Sequence, residues 1–200
     1  MARQYAKTPV VRRTILEACL SAFGESGFHG ATMADIARRA GISYTGLLHH
    51  FPRKENLLTA VLALQDERSA TYLREHGTFS PGADPADVLR GLVATLVETG
   101  RERGLVELST TLTGEATSPQ HPAHAHFADR YRDTRSFLTR LFGDLSERGR
   151  IAVPTPPAEL AAMTIALTEG LQTQQLYDGS IPVTGILRSF LDTVIRDEPR

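Results

Sequence analysis

Hydroxyl, imidazole and amine side chains are concentrated between residues 43 and 54, in the segment SYTGLLHHFPRK. Such groups bind the phosphates that position a protein on DNA, and a hydroxyl can also bind a base edge. Thr45 can hydrogen-bond a base or pack its methyl group on thymine, and Gly46 allows the backbone to approach a groove closely. Where helices present these groups to a groove, the candidates for DNA contact are Ser43, Tyr44, Thr45, Gly46, His49 and Lys54 in this segment and Thr32 upstream of it.

Two short helices joined by a glycine turn are predicted to hold these side chains. The apolar residues from Met33 to Ala40 recur at i, i+3, i+4 and i+7, which is the spacing of one helix face. Thr32 stands where a hydroxyl caps a helix start, and Gly41 can adopt the positive φ that ends a helix. Ser43 is predicted to cap the second helix. This plan is that of a helix-turn-helix, whose second helix enters the major groove.

The segment from Thr14 to Leu62 resembles the N-terminal domain of TetR-type transcriptional regulators. His49 and Arg53 depart from the usual pattern, in which a tyrosine and a small capping residue are common, although both side chains can reach a phosphate. The resemblance implies a homodimer that binds an operator and is released by a small molecule. It rests on Ile15 to Phe23 with Gly27 and Phe28, then Thr32, Ile36-Ala37, Ala40-Gly41-Ile42-Ser43, His50-Phe51, Lys54-Glu55 and Leu57-Leu58.

Charge is distributed unevenly along the chain. Residues 1–58 hold eight Lys or Arg against four Asp or Glu, a net charge of +4, and the remainder carries −5. A basic end on an acidic body is expected where one end of a protein meets phosphate. An ordinary imbalance of solvated charge is the alternative explanation.

Cysteine usage and hydropathy indicate the compartment. Cys19 is the one cysteine, so no intrachain disulfide can form, and its place on an apolar helix face predicts a core residue. The sequence has no run of eighteen apolar residues and no apolar N-terminal signal. We therefore expect a cytoplasmic protein without a membrane partner, and no motif predicts a cofactor.

Helical periodicity recurs along the chain without strand-like alternation, which predicts an all-α protein of about nine helices. A three-helix DNA-binding domain is expected over residues 1–58, and a helical domain for effector binding and dimerisation over residues 59–200. A long fourth helix from near Arg53 joins them. Asp84 and Thr155 are predicted N-caps of the fifth and eighth helices. The last four helices are expected at about 105–116, after Pro122, at 156–177 and at 183–196.

The two C-terminal helices are apolar over much of their circumference, so more than one side must be covered. Pairing them with the same helices of a second copy gives a four-helix interface. A fully intramolecular core is the alternative. The predicted interface residues are Leu167, Leu171, Ile186, Leu187, Phe190 and Val194.

Polar residues on otherwise apolar helices are the candidates for binding a small-molecule effector. Glu169 and Gln172 lie three residues apart and share a helix face. A buried carboxylate needs a partner, so Glu169 is expected to meet a cationic or hydroxylated ligand, an arginine or the second subunit. The predicted effector residues are Thr111, Glu115, His126, Tyr131, Glu169 and Gln172.

The sequence thus predicts a DNA-binding transcriptional regulator, a repressor released from a palindromic operator by a small molecule. A dimeric regulator without an effector and a three-helix packing unit with no nucleic-acid role are the alternatives. An all-helical enzyme is a further one, although the sequence has neither a G-x-S-x-G elbow nor a phosphate-binding glycine loop. His121, His124 and His126 lack a metal-specific spacing, so no metal site is predicted.

Overall fold

The computed structural model describes residues 7–75, 82–100 and 103–196, and these residues form nine helices. A single isolated antiparallel bridge joins Ile151 and Ile195 within the described residues. The predicted all-α fold is confirmed. None of the helices in the described part is long and apolar enough to span a membrane. The helices are α1 Lys7–Gly30, α2 Met33–Arg39, α3 Tyr44–His50, α4 Lys54–Glu75, α5 Pro85–Gly100, α6 Arg103–Glu115, α7 His124–Glu147, α8 Pro157–Tyr177 and α9 Val183–Val194.

Two compact units make up the chain. The first comprises the described part of Met1–Glu67 together with Gly104–Ala125, and the second comprises the described parts of Arg68–Arg103 and His126–Arg200. The helix-turn-helix and α6 therefore share a unit, whereas the predicted division after Leu58 separates them. The functional division into a DNA-binding domain over 1–58 and an effector domain over 59–200 stays a prediction.

One face of α6 packs along α1 inside the first unit. A Cβ built on Gly24 of α1 would lie 3.3 Å from the backbone nitrogen of Leu108, so the two helices approach closely there. The Thr111 hydroxyl donates to the Gly24 carbonyl at 3.2 Å, and a Glu115 carboxylate oxygen accepts from the Phe28 amide at 2.6 Å. Positions 108, 111 and 115 share one helical face, which explains why α6 belongs with α1.

The start of the helix-turn-helix is fixed by a break in α1. Gly27 has φ 68° and ψ 179°, so the regular helix is interrupted near the predicted end at Ser26-Gly27 before the chain turns once more to Gly30. This conformation favours glycine because a Cβ clashes at positive φ. The residues that α1, α2, α3 and α4 bury together include Ile15, Cys19, Phe23, Ile36, Leu47, Phe51, Leu57 and Leu58.

The second unit is built from α5, α7, α8 and α9 around its own apolar core, which includes Leu89, Phe142, Leu145, Leu160 and Leu187. The start of α5 is joined to the segment after α7 by a partly buried ion pair, in which Arg150 Nη1 donates to Asp84 Oδ2 at 2.5 Å. The amide of Arg196 donates to the Arg150 carbonyl at 2.8 Å, which extends the pairing at the Ile151–Ile195 bridge.

Two predicted N-caps of the second unit have different outcomes. Asp84 Oδ1 accepts from the Ala86 amide at 2.9 Å, so the predicted cap of α5 is confirmed, with Pro85 as the first helical residue. The prediction for Thr155 is wrong. Pro156 occupies the N-cap position of α8, Pro157 follows as the first helical residue, and no side chain caps this end. The helix begins one residue later than predicted, so its N-cap position falls on a proline, which has no side-chain acceptor, and the Pro156 carbonyl accepts from the Glu159 amide at 3.0 Å.

Candidate nucleic-acid interface

Both helices of the helix-turn-helix begin at a capped residue. Thr32 Oγ1 accepts from the Asp35 amide at 3.1 Å, and Ser43 Oγ accepts from the Gly46 amide at 3.0 Å. Gly41 has φ 67° in the turn between them. These local bonds fix where α2 and α3 start, so the side chains that leave each helix have defined directions. All three roles agree with the sequence-based predictions.

The recognition helix α3 separates a buried side from an exposed one. Leu47 is fully buried and holds the helix against the core of the first unit. Tyr44, Thr45 and His49 are exposed, and the Tyr44 side chain retains 51% of its accessible surface. The exposed edge therefore presents two hydroxyls and an imidazole, which are the groups needed for phosphate and base contacts.

An open concavity of about 580 Å³ lies beside this edge. It brings together three of the predicted DNA-contacting residues, Thr32, Tyr44 and Lys54, and adds His29, which was not among the predicted residues. His29 is exposed and follows the Gly27-Phe28 turn, so its position between that turn and Thr32 was the available signal. The concavity is lined by His29, Ala31, Thr32, Met33, Ala34, Tyr44 and Lys54.

Lys54 is held by groups of the first unit. Its Nζ donates to the Ala31 carbonyl at 3.0 Å and more weakly to the His29 carbonyl at 3.4 Å. The same atom lies 4.6 Å from the centroid of the Phe28 ring. An ammonium group has three N–H donors, so a bound phosphate can take the remaining one. The contacts place a positive charge in the concavity.

Arg39 is engaged in an ion-pair cluster. Its guanidinium binds both Glu25 carboxylate oxygens at 2.7 Å and Asp35 Oδ2 at 2.7 Å. The hydrogen bond from Arg39 lowers the pKa of Glu25 to about 2. Arg38 also binds Asp35, and it lowers the pKa of that carboxyl, but 73% of the Arg38 side chain is exposed. Of this pair, Arg38 is the one whose side chain is available to a phosphate.

The six predicted effector residues are divided between the two units. In the second unit Tyr131 donates its hydroxyl to Glu169 Oε1 at 2.7 Å, but Glu169 is exposed, so the expectation of a buried carboxylate is wrong. His126 and Gln172 of the same unit are half-buried. Thr111 and Glu115 belong to the first unit, where both hydrogen-bond to α1. Effector binding by these residues stays a prediction.

The predicted dimer residues also divide into two groups. Leu171, Leu187 and Val194 are buried in the core of their own protomer, so they are not available as surface residues. An apolar stripe does not reveal which side of a helix faces its own chain, and this explains the error. The other three, Leu167, Ile186 and Phe190, are partly buried against that core.

The histidine-rich segment and Cys19 are used in packing. His121 Nδ1 accepts from the Ala123 amide at 3.1 Å, and His124 Nδ1 lies 2.8 Å from the Ala116 carbonyl oxygen. No group of three His, Cys, Asp or Glu within the ranges 7–75, 82–100 and 103–196 could hold a metal ion. Cys19 is fully buried, and burial raises the pKa of its thiol, which suppresses the reactive thiolate.

Comparison with known proteins assigns both halves of the chain. Residues 15–61 match the model of the tetR family of bacterial regulatory proteins, and residues 85–196 match the C-terminal model of BetI-type transcriptional repressors. The second match alone extends over more than half of the chain. The protein belongs to the TetR family of bacterial transcriptional regulators. This confirms the predicted class, a DNA-binding transcriptional regulator and not an enzyme.

Individual TetR-family relatives agree with this assignment. The regulator BetI of Stenotrophomonas maltophilia is 32% identical over 168 residues, which cover 82% of this chain and 80% of that protein. BetI of Yersinia pestis (strain Pestoides F) is 27% identical over 172 residues, which cover 86% and 83%. Both of these relatives are HTH-type transcriptional regulators.

Solved structures of similar fold include two ligand complexes. A transcriptional regulator from Saccharomonospora viridis in complex with choline superposes with a TM-score of 0.78 at 23% identity, covering 95% of this chain and all of that one. The SmeT–triclosan complex has a TM-score of 0.72 at 18% identity, with 94% and 93% coverage. At these identities the two structures show that the TetR-family fold is shared.

Proposed function

We propose that this protein is a homodimeric repressor that binds an inverted-repeat operator in the cytoplasm and is released by a small-molecule effector. The observation that carries the proposal is the exposed edge of α3 beside the concavity that contains Thr32 and Lys54. Residues from three successive elements converge there on one surface. Such an arrangement suits phosphates on both sides of a recognition helix.

Individual roles follow from exposure and helix position. Thr45 is exposed on the first turn of α3 and is proposed to read a base edge, while Gly46 permits close approach to the groove. Tyr44, His49, Thr32 and Lys54 are proposed to bind phosphates. Ser43 contributes through its cap of α3, because its hydroxyl oxygen already accepts the Gly46 amide.

Dimerisation is proposed to use the outer surfaces of α8 and α9. Met163 on α8 is 48% exposed, so this apolar side chain is available to be covered by a second copy. Leu167, Ile186 and Phe190 are partly buried against the protomer's own core and can be covered further by a second copy. A two-fold arrangement of α8 and α9 would generate a four-helix interface and pair two recognition helices with two half-sites.

The proposed effector is a small organic cation. The Glu169 carboxylate is exposed and is oriented by the Tyr131 hydroxyl, so a negative charge and an aromatic ring lie together. Carboxylates and aromatic faces both attract quaternary ammonium groups. The choline complex of the similar Saccharomonospora viridis regulator makes choline the first compound to test. His126 and Gln172 complete the proposed set, while Thr111 and Glu115 are left out because they bind α1.

The proposal is tested by fluorescence polarisation with duplexes from the DNA upstream of the chain's own gene and its neighbours. We expect one duplex to bind far more tightly than a scrambled control, and choline to weaken that binding by about 5- to 150-fold. Glu169→Gln should reduce the choline response without changing DNA affinity in its absence. Glu159→Gln, an exposed control on the same helix, should respond as the parent does.

Each outcome of this experiment decides one part of the proposal. Specific DNA binding that does not respond to choline or to other quaternary ammonium compounds would contradict the cationic effector and favour a regulator without one. If no duplex from this upstream DNA were preferred over the scrambled control, the proposal that the protein represses its own gene or the neighbouring genes would be contradicted. A normal choline response of Glu169→Gln would remove Glu169 from the effector site.

A further inference from the structure

The last residue of α6 reaches the break at Gly27-Phe28 inside α1. Glu115 Oε2 accepts from the Phe28 amide at 2.6 Å, and its Oε1 lies beside Gly27, where a Cβ would overlap the carboxylate. Gly27 is buried and has φ 68°, so the missing side chain both permits the backbone conformation and makes room for the carboxylate. Glu115 therefore holds the Gly27-Phe28 turn from the α6 side.

Phe28 connects this carboxylate to the DNA-facing concavity. The ring is buried, and the His121 ring packs against it edge-on with a centroid distance of 5.2 Å. Lys54 Nζ lies 4.6 Å from the Phe28 centroid and donates to the Ala31 carbonyl just beyond the same turn. Glu115 therefore contacts Phe28, and Phe28 in turn contacts Lys54. All three residues lie in the first unit.

We propose that Glu115 is a positioning residue for DNA binding, which holds the Gly27-Phe28 turn so that Lys54 is kept at the concavity. The inference rests on the proposed function, because it takes Lys54 as a phosphate-binding residue. Without the carboxylate, the amide of the buried residue Phe28 loses its hydrogen-bond acceptor. Because an unsatisfied buried amide is unfavourable, the backbone at this turn is expected to rearrange. The ring and the carbonyl that hold Lys54 Nζ then move together.

The salt dependence of DNA binding measures this role without knowledge of the operator. The probe is a short labelled duplex of arbitrary sequence, titrated between about 50 and 200 mM salt. Glu115→Ala should bind about tenfold more weakly and lower the slope of log K against log salt by about one unit per subunit. Glu115→Gln should rescue binding, because its amide oxygen can still accept from the Phe28 amide.

Two further variants separate positioning from general packing. Thr111→Val removes the bond to the Gly24 carbonyl on the same face of α6 but leaves the Phe28 turn untouched, so its salt slope should equal the parent's. Lys54→Ala should flatten the slope by itself. If Glu115 acts through Lys54, then adding Glu115→Ala to Lys54→Ala should cause little further loss, which is the signature of coupled residues.

The outcomes distinguish this inference from the proposed function. A parent-like slope for Lys54→Ala would contradict the phosphate contact itself. A flattened slope for Lys54→Ala together with parent-like binding by Glu115→Ala would overturn only the positioning role, as would full additivity of the two changes or an equal loss in Thr111→Val. If circular dichroism shows that Glu115→Ala does not fold, Glu115→Asp, which withdraws the carboxylate by one methylene, is judged by the same criteria.

Discussion

The helix-turn-helix and the second unit fix their important side chains by different means. In the former, α2 and α3 are short, and each starts at a hydroxyl cap that is close in sequence to the helix it serves. In the second unit, α5, α7, α8 and α9 are held by a shared apolar core and by an ion pair that joins residues 66 positions apart. The first arrangement leaves hydroxyl and imidazole groups exposed on helices whose starts are set by local bonds, whereas the second depends on contacts between residues that are distant in sequence.

The largest expected loss of stability comes from a charge placed on the core side of α9, which we compare with a charge placed on its outer side. Leu187 is fully buried, so Leu187→Asp places an unpaired carboxylate among apolar groups and should cost about 4 kcal/mol or more of folding free energy. Phe190→Asp, at a half-buried position, should leave the fold in place and prevent self-association. Thermal circular dichroism and light scattering measure the two effects. A parent-like melting temperature for Leu187→Asp would contradict the assignment of this residue to the protomer core.

The next largest effect concerns the long-range ion pair. Arg150 has a 9% exposed side chain and binds Asp84. Burial acts to raise the pKa of Asp84, but the hydrogen bonds from the Ala86 amide and from Arg150 lower it on balance. Arg150→Met leaves that carboxylate without its main partner and should cost about 3 kcal/mol. Arg132→Ala breaks an exposed pair with Asp129 and should cost less than about 0.5 kcal/mol. Equal urea midpoints for the two variants would refute the structural importance of the buried pair.

The helix-turn-helix could be predicted from the sequence because its determinants are local. Thr32, Gly41 and Ser43 act within three residues of the helix ends that they define, and residue type is enough to recognise them. The same reasoning failed at Thr155, because α8 begins one residue later than predicted and Pro156, not Thr155, holds its N-cap position. A hydroxyl predicts a cap only where the first residue of the helix is itself predicted correctly.

Features that depend on distant residues could not be predicted. The position of α6 against α1 depends on Gly24 and on hydrogen bonds that join residues 87 positions apart, and neither helix alone indicates its partner. Arg39 pairs with Asp35 four residues before it, but its bidentate contact with Glu25 joins residues 14 positions apart and required the fold. The apolar stripe of α9 likewise did not show which residues face the protomer's own core.

Removing a capping hydroxyl should cause a smaller loss of stability, and it can be tested in both regions. Ser43→Ala removes the acceptor of the Gly46 amide and should cost about 1 kcal/mol, together with weaker DNA binding. Thr155→Ala removes a hydroxyl that caps nothing and should leave stability within about 0.5 kcal/mol of the parent's. Chemical denaturation checks both values. If Thr155→Ala lost more free energy of unfolding than Ser43→Ala, the assignment of Ser43 and not Thr155 as a helix cap would be contradicted.

The smallest expected effect is a pH dependence that arises from His121. Burial lowers the pKa of this histidine below its usual 6.5, so the unfolded chain binds a proton more readily than the folded protein does. Stability should therefore fall as pH decreases below about 6.5 and should level off below the folded pKa. Glu25, whose pKa is about 2, loses its contribution at more acidic pH than His121. His121→Gln should flatten the decrease just below neutral pH in urea denaturation, and an unchanged pH profile would contradict this origin.

The central claim is that the exposed edge of α3 and the adjoining concavity form the DNA-binding surface. It is tested most directly by comparing two double variants in polarisation measurements on one upstream duplex. Tyr44→Ala with Lys54→Ala removes a ring and a positive charge from this surface, whereas Tyr177→Ala with Arg188→Ala removes a tyrosine ring and an arginine charge from exposed positions on α8 and α9. We predict that the first weakens DNA binding by about tenfold or more and the second leaves it unchanged. Equal binding by the two folded variants would contradict the account.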